Sequence, residues 1–167
     1  MEVMKKSNYN LIFLDFDGVV TSKEEGGYKW NPPEKYEPSK TIIKRLKKLC
    51  DDTNSRIIIA SNWRKFEPDG YYTFPEGRVQ NPLSKLKNML GDYIIGSLPP
   101  DRHISKSQSL ELWFEDNDDF KGNYVIFDDD LAEGYQYNPS FRKRFILVDS
   151  EFGLTDEICK KAKEILV

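Results

Sequence analysis

Cysteine, histidine and long apolar runs are all scarce in this sequence, and each scarcity narrows what the chain can be. The two cysteines, Cys50 and Cys159, lie far apart within helix-like patterns and lack the close spacing of a metal site. We therefore expect both to be reduced packing residues in a reducing compartment. His103 is the single histidine, and we expect it to lie on the surface rather than to act in catalysis.

No stretch approaches the length and apolarity of a membrane span, and no signal-peptide-like apolar segment precedes the first predicted strand. We therefore expect a cytoplasmic protein without a membrane partner. The 25 Lys and Arg residues nearly balance the 28 Asp and Glu residues, which gives a formal net charge of −3. This balance excludes an overall basic field for nucleic acid, whereas a local basic patch stays open.

What the sequence does contain is a series of short apolar runs that alternate with amphipathic, helix-like segments. The 167 residues fit one domain, residues 1–167, with a sizeable core. Apolar runs closed by turn residues are typical of strands buried in a parallel sheet. The sequence therefore predicts an α/β fold, a doubly wound, mainly parallel sheet with helices on both faces. The predicted strands are residues 10–15, 56–60, 93–96, 123–127 and 144–148, and the predicted helices follow Ser39, Pro82, Ser105 or Ser107, and Thr155.

Two aspartates, Asp15 and Asp17, stand at the end of the first predicted strand and precede Gly18. If the strand continues to residue 15, the two carboxylates share one side of the backbone, because side chains alternate along a strand. Two anions so close repel each other unless a cation lies between them or one carries a proton. The pair therefore predicts a metal site, a nucleophile with its acid, or both; the alternative is a turn with solvated aspartates.

Other polar groups follow the second and fourth predicted strands. Ser61, Asn62 and Arg64 offer a hydroxyl, backbone N–H groups and a guanidinium, which suit a phosphate, although Ser61 could instead cap the next helix. Residues 128–130 are three aspartates, an oxygen-rich cluster that suits Mg²⁺; the alternative is an acidic turn capped by the last of them. Lys106, at a predicted helix start, is of interest because a phosphoryl site needs a positive charge.

The carboxyl ends of parallel strands can meet along one crevice, so these groups can share a site. Two acidic clusters, a hydroxyl and a lysine suit a magnesium ion together with a phosphoryl group. A carboxylate in line with the phosphorus can attack it and form an aspartyl-phosphate.

The order of these motifs resembles the haloacid dehalogenase (HAD) superfamily of phosphatases. The residues that carry the resemblance are D-F-D-G-V-V at 15–20, I-I-A-S-N-W-R at 58–64, the lysine at 106 and Y-V-I-F-D-D-D at 124–130. The residues of the second and fourth motifs are most similar to those of the small HAD domains associated with RNA-repair proteins. They are more distantly similar to those in the phosphatase half of polynucleotide kinases. Val19 stands where threonine is common in HAD phosphatases, although valine is also familiar there.

The resemblance implies a role for each of these groups. Asp15 would be the nucleophile, and Asp17 the acid for the leaving group and then the base for water. The implied Mg²⁺ ligands are Asp15, the backbone carbonyl of Asp17, Asp128 and, close behind, Asp129; the implied phosphate-binding residues are Ser61, Asn62 and Lys106.

The intervals between the motifs leave no room for a large cap domain, and an open site suits a phosphate on a bulky substrate such as an RNA or DNA end or a phosphoprotein. Trp63 and Arg64, with the aromatic and basic residues of 66–78, would then contact substrate by stacking and phosphate pairing. The alternative is that this aromatic loop packs on its own domain. Residues 25–33 are predicted to form a surface hairpin or flap over the strand tip. A competing hypothesis is a binding or adaptor module that keeps the fold and has lost turnover.

Overall fold

The fold is built on a five-stranded parallel sheet. The computed structural model describes residues 8–26, 36–75 and 77–167. The strands of this sheet are β1 (Asn10–Leu14), β2 (Ser55–Ile59), β5 (Ile94–Ser97), β6 (Tyr124–Asp128) and β7 (Phe145–Leu147). Their order across the sheet is β5-β2-β1-β6-β7. The five predicted strands are therefore confirmed, with shifts of at most one residue at each end.

The central strand, β1, is buried on both faces. Ile12 and Leu14 contact the core on one side of the sheet, while Leu11 and Phe13 contact the core on the other side. All four side chains are fully shielded from solvent. This explains why the strand reads as a continuous apolar run rather than an alternating one. Burying each such side chain contributes about 1.5–3 kcal/mol.

The helices are α1 (Lys40–Thr53), α2 (Leu83–Leu90), α3 (Lys106–Asp116), α4 (Pro139–Arg142) and α5 (Asp156–Leu166). Side-chain caps define several of their starts, because the first N–H groups of a helix lack partners within it. Ser39 Oγ accepts a hydrogen bond from the N–H of Ile42, and Thr155 caps α5 in the same way. Ser105, rather than Ser107, begins α3 through a reciprocal capping box with Gln108.

The helices cover both faces of the sheet, as predicted for a doubly wound fold. Apolar residues of α1, α2 and α5 join the core that contains Ile12 and Leu14. Leu110 and Trp113 of α3, with Phe141 of α4, join the opposite core. None of the helices in the described residues is both long and apolar enough to cross a membrane.

The segment between β2 and α2, predicted as a loop, contains a small antiparallel hairpin. Its strands, β3 (Tyr71–Phe74) and β4 (Gly77–Gln80), form a separate two-stranded sheet. Aromatic rings from this region pack together: Trp63 lies 5.6 Å from Phe66 and 6.0 Å from Tyr72 between ring centroids. This part of the aromatic loop therefore packs on its own domain. The predicted flap falls mostly on residues 27–35, which lie outside the described residues.

Candidate active site

Strand pairing brings the first and last acidic motifs together. β1 and β6 pair in parallel with Leu14 opposite Phe127, and the N–H of Asp15 donates to the carbonyl of Phe127 at 3.1 Å. Asp15 and Asp128 thus emerge side by side at the carboxyl edge of the sheet, where open α/β sheets bind ligands. A polar cavity of about 340 Å³ lies there, lined by Asp15, Asp17, Asn62, Lys106, Asp128, Asp129, Asp130 and Glu133.

Lys106 bridges the two strand ends from the first turn of α3. Its Nζ lies 2.8 Å from Asp15 Oδ1 and 2.7 Å from Asp128 Oδ2, and the residue is 2% exposed. Burial disfavours its charge, but the charges of Asp15 and Asp128 outweigh burial and raise the pKa of Lys106. The lysine therefore stays cationic, although a lysine at a helix start usually lies in solvent.

The acidic residues form a cluster that fits a divalent cation. One carboxylate oxygen from each of Asp15, Asp128 and Asp129 lies within 4.8 Å of the others. Hard cations such as Mg²⁺ prefer donors of this type. Gly18 makes the cluster possible, because its φ of +74° suits glycine and a Cβ there would collide with the carboxylate of Asp129. The carboxylate of Asp17 is not part of this cluster.

Asp17 lies in the same cavity but in a different environment. Its Oδ2 accepts a hydrogen bond of 3.2 Å from the indole Nε1 of Trp63. Its Oδ1 is shielded from solvent and has no hydrogen-bond partner among the described residues. Burial, followed by the charge of Asp15, raises the pKa of Asp17 to about 8. The carboxyl group therefore holds a proton near neutral pH, which is the state that a general acid requires.

Asp128 and Asp130, which flank Asp129 in the acidic motif after β6, have different surroundings. Burial, followed by the charge of Asp15, raises the pKa of Asp128 well above its ordinary value, and Lys106 counteracts this shift. Asp130 caps the short 3₁₀ turn that follows, because its Oδ1 accepts from the N–H of Ala132 at 2.8 Å. The cap expected in the alternative interpretation is therefore present at Asp130, and Asp128 Oδ1 also accepts from the N–H of Asp130 at 2.9 Å.

The turn after β2 carries the predicted phosphate-binding residues. Ser61 is buried, and its Oγ caps the 3₁₀ helix at Asn62–Lys65 by accepting from the N–H of Trp63 at 3.1 Å. Asn62 is exposed at the cavity, where its Nδ2 donates to Glu133 Oε2 at 3.0 Å. The structure thus places Asn62 in the cavity wall and gives Ser61 a capping role, while their binding of phosphate stays a prediction.

Sequence reasoning missed Glu133. Its Oε1 accepts from the backbone N–H of Lys106 at 3.0 Å, so one carboxylate ties the start of α3 to the turn after β2. Burial opposes its charge, but the hydrogen bond from the Lys106 N–H, the charge of Lys106 and the hydrogen bond from Asn62 contribute to a combined effect that outweighs burial and lowers the pKa of Glu133. The sequence signal for Glu133 was its position in the loop that follows the three aspartates. A carboxylate there can stabilise a helix N-terminus, in this case that of α3.

Trp63 and Arg64 do not line the polar cavity. The guanidinium of Arg64 donates to the carbonyls of Pro99 and Ser61 and to Ser109 Oγ, at 3.1, 2.9 and 3.1 Å. Both side chains line a second cavity of about 690 Å³, next to β5, that is more apolar than the first. Contact with substrate stays a prediction for both residues.

The chain is similar to a known protein family and to a solved structure. The family model described as "HAD domain in Swiss Army Knife RNA repair proteins" matches residues 11–159. Among solved structures, the HAD domain of the effector protein Lem4 from Legionella pneumophila is similar, with a TM-score of 0.54, 16% sequence identity, and coverage of 95% of this chain and 94% of that chain. At this identity the likeness shows the fold alone. No curated protein matches the sequence.

The family model spans most of the chain, and it includes both acidic motifs, the turn after β2 and Lys106. The chain therefore belongs to the family of HAD domains found in Swiss Army Knife RNA repair proteins.

Proposed function

We propose that the protein is a Mg²⁺-dependent phosphatase that hydrolyses phosphomonoesters through an aspartyl-phosphate on Asp15. Membership of the HAD family supports a HAD-type phosphatase or a related activity. The observation that carries the finer proposal is the convergence of Asp15, Asp17, Lys106 and Asp128 on one cavity. A turn with solvated aspartates does not account for an ammonium group buried between two strand ends.

In the proposed reaction a carboxylate oxygen of Asp15 attacks phosphorus, and the bond from phosphorus to the leaving oxygen breaks. Asp17 gives its proton to that oxygen, so that an alcohol departs. The ionised Asp17 then takes a proton from water, whose oxygen attacks the phosphorus and releases phosphate and Asp15. The raised pKa of Asp17, about 8, supports its role as the acid that protonates the leaving oxygen.

The residues that would hold the metal are Asp15, Asp128 and Asp129, with the backbone carbonyl of Asp17. HAD enzymes generally use Mg²⁺, and the cluster of carboxylate oxygens is of the matching type. A bound Mg²⁺ would neutralise part of the charge on the phosphoryl group. Lys106, Ser61 and Asn62 would contact the remaining phosphoryl oxygens.

The proposed substrate is a phosphate on a bulky molecule, such as an RNA or DNA end. The family description, which names RNA repair proteins, supports this class. The described residues between β2 and β5 form two short 3₁₀ segments, a short hairpin and the eight-residue α2, which supports a cavity without a large cap. A phosphoprotein is the alternative bulky substrate.

A substrate panel tests the proposal. The panel compares 3′- and 5′-phosphorylated RNA and DNA, nucleotides, phosphopeptides and sugar phosphates, each with Mg²⁺ and with EDTA. We expect Mg²⁺-dependent release of phosphate, fastest from nucleic-acid ends, and its loss in Asp15→Asn. Asp92→Asn, an exposed aspartate in the 3₁₀ turn before β5, is the matched control. Full activity of Asp15→Asn would refute the mechanism.

A further inference from the structure

We infer that Trp63 is a positioning residue that fixes the carboxyl group of Asp17 through its indole N–H, an inference that rests on the acid role proposed for Asp17. The indole Nε1 lies 3.2 Å from Asp17 Oδ2 and 3.0 Å from the hydroxyl of Tyr36. An indole N–H is a donor only, so it cannot accept the transferred proton. Any effect of this N–H on the reaction is therefore exerted through the carboxyl group of Asp17, to which it donates.

The indole is itself held rigidly. Trp63 is 4% exposed, and its ring packs against Tyr36, Phe66 and Tyr72 at centroid distances of 6.0, 5.6 and 6.0 Å. Tyr36 in turn makes an edge contact with Phe16 at 5.5 Å. Close-packed rings of this kind have few alternative rotamers, so the direction of the N–H is set by the core.

The backbone of Trp63 is fixed to the other half of the site. Its N–H donates to Ser61 Oγ at 3.1 Å, and its carbonyl accepts from Asn81 Nδ2 at 3.2 Å. Trp63 therefore contacts both parts of the site. Its backbone contacts the turn that is proposed to bind the phosphoryl group, and its indole contacts the carboxyl group that is proposed to protonate the leaving oxygen. The distance between these two groups decides whether proton transfer accompanies bond breaking.

A purely structural role and a positioning role predict different kinetics. Phenylalanine at this position would keep most of the packing and remove the hydrogen bond. β-(3-Benzothienyl)alanine, introduced at position 63 by codon suppression, keeps the bicyclic shape and removes the N–H. If Trp63 only fills space, the analogue should behave like tryptophan; if it orients the acid, reactions that need the acid should suffer.

The experiment measures kcat/KM for a series of phosphomonoesters, from alkyl phosphates to 2,4-dinitrophenyl phosphate. An alkoxide is a poor leaving group that needs a proton, whereas dinitrophenolate leaves without one. Because general acid catalysis contributes about 10²–10⁴-fold, we expect the analogue to lose about 10–100-fold on alkyl phosphates and less than about 3-fold on the dinitrophenyl ester. Trp63→Phe should show the same order of effects on a protein whose far-ultraviolet circular dichroism is unchanged.

The same analogue at Trp113, in the core on the opposite face of the sheet, is the matched control and should leave the series unchanged. An equal loss on all esters, or no loss on any, would overturn the positioning role. Asp17→Asn separates this outcome from failure of the proposed function. If that variant hydrolyses alkyl phosphates normally, the acid role of Asp17 is itself wrong, and the inference on Trp63 fails with it.

Discussion

Replacement of Lys106 by methionine should destabilise the metal-free protein by several kcal/mol. The ammonium group lies between the carboxylates of Asp15 and Asp128 at 2.8 and 2.7 Å, and the residue is 2% exposed. Removing one partner of a buried ion pair costs about 3–5 kcal/mol, because the other charge is left uncompensated. Methionine fills a similar volume, so the loss reports charge rather than a cavity.

The loss should depend on pH with a definite sign. Without Lys106, the two carboxylates repel each other, and the folded variant relieves this by binding a proton that the unfolded chain does not bind at neutral pH. An acid whose pKa is raised in the folded state makes folding less favourable as pH rises. The stability difference between variant and wild type should therefore be larger at pH 8 than at pH 5.

Urea unfolding followed by circular dichroism in EDTA measures these quantities. Mg²⁺ should restore part of the lost stability, because a cation at the cluster replaces the missing positive charge. Lys143→Met, at an exposed position after α4, is the control and should stay within about 0.5 kcal/mol of wild type. The double variant Lys106→Met, Asp128→Asn should be more stable than Lys106→Met alone. Wild-type stability of Lys106→Met in EDTA, or a loss that is equal at both pH values, would refute this reasoning.

Three further predictions concern single side chains. In urea unfolding, Asp17→Asn should stabilise the metal-free protein at pH 8 by roughly 1–3 kcal/mol, because the pKa of Asp17, about 8, lies above that of the same group in the unfolded chain. The gain should be smaller than this pKa difference alone implies, because the residue is only partly buried. It should shrink towards pH 4, where the carboxyl group of the unfolded chain also begins to bind a proton. Burial raises the pKa of Cys50 to about 12 and that of Cys159 to about 11, so iodoacetamide at pH 8 should modify Cys159 before Cys50, and both far more slowly than in urea, as read by peptide mass spectrometry. Glu133→Ala removes an ionised acceptor from two donors and should cost about 1–3 kcal/mol in thermal or urea unfolding; an unchanged midpoint would contradict its role at the start of α3.

The sheet and the acidic edge could be predicted because their signals are local. Residues 11–14 are apolar throughout because both faces of β1 are buried, and Ser39 and Thr155 cap helices within three residues of themselves. The parallel arrangement then carries the strand ends to one edge whatever the intervening chain does.

The remaining features depend on partners that are distant in sequence. Trp63 meets Asp17 and Tyr36 only after β1 and β2 have paired, and an aromatic residue among loop signals gives no hint of that contact. The burial of Lys106 likewise follows from where α3 packs against the strand ends, and the sequence of α3 itself does not indicate it. In the β3–β4 hairpin, Pro75 in the turn and Gly77 at the start of β4 are visible in the sequence as loop signals, but the short flanking strands have no clear alternation.

The double pairing of β1 has a consequence for how the site behaves during motion. The strand has hydrogen-bonded neighbours on both edges, and Asp15 follows directly from it. Amide protons within β1 should therefore exchange with deuterium only through near-global opening, whereas those of the two-stranded hairpin should exchange through local fraying. Asp15, the proposed nucleophile, should thus be anchored in the slowest-opening part of the molecule, and the segments around the cavity should be able to change in sequence and conformation without moving it.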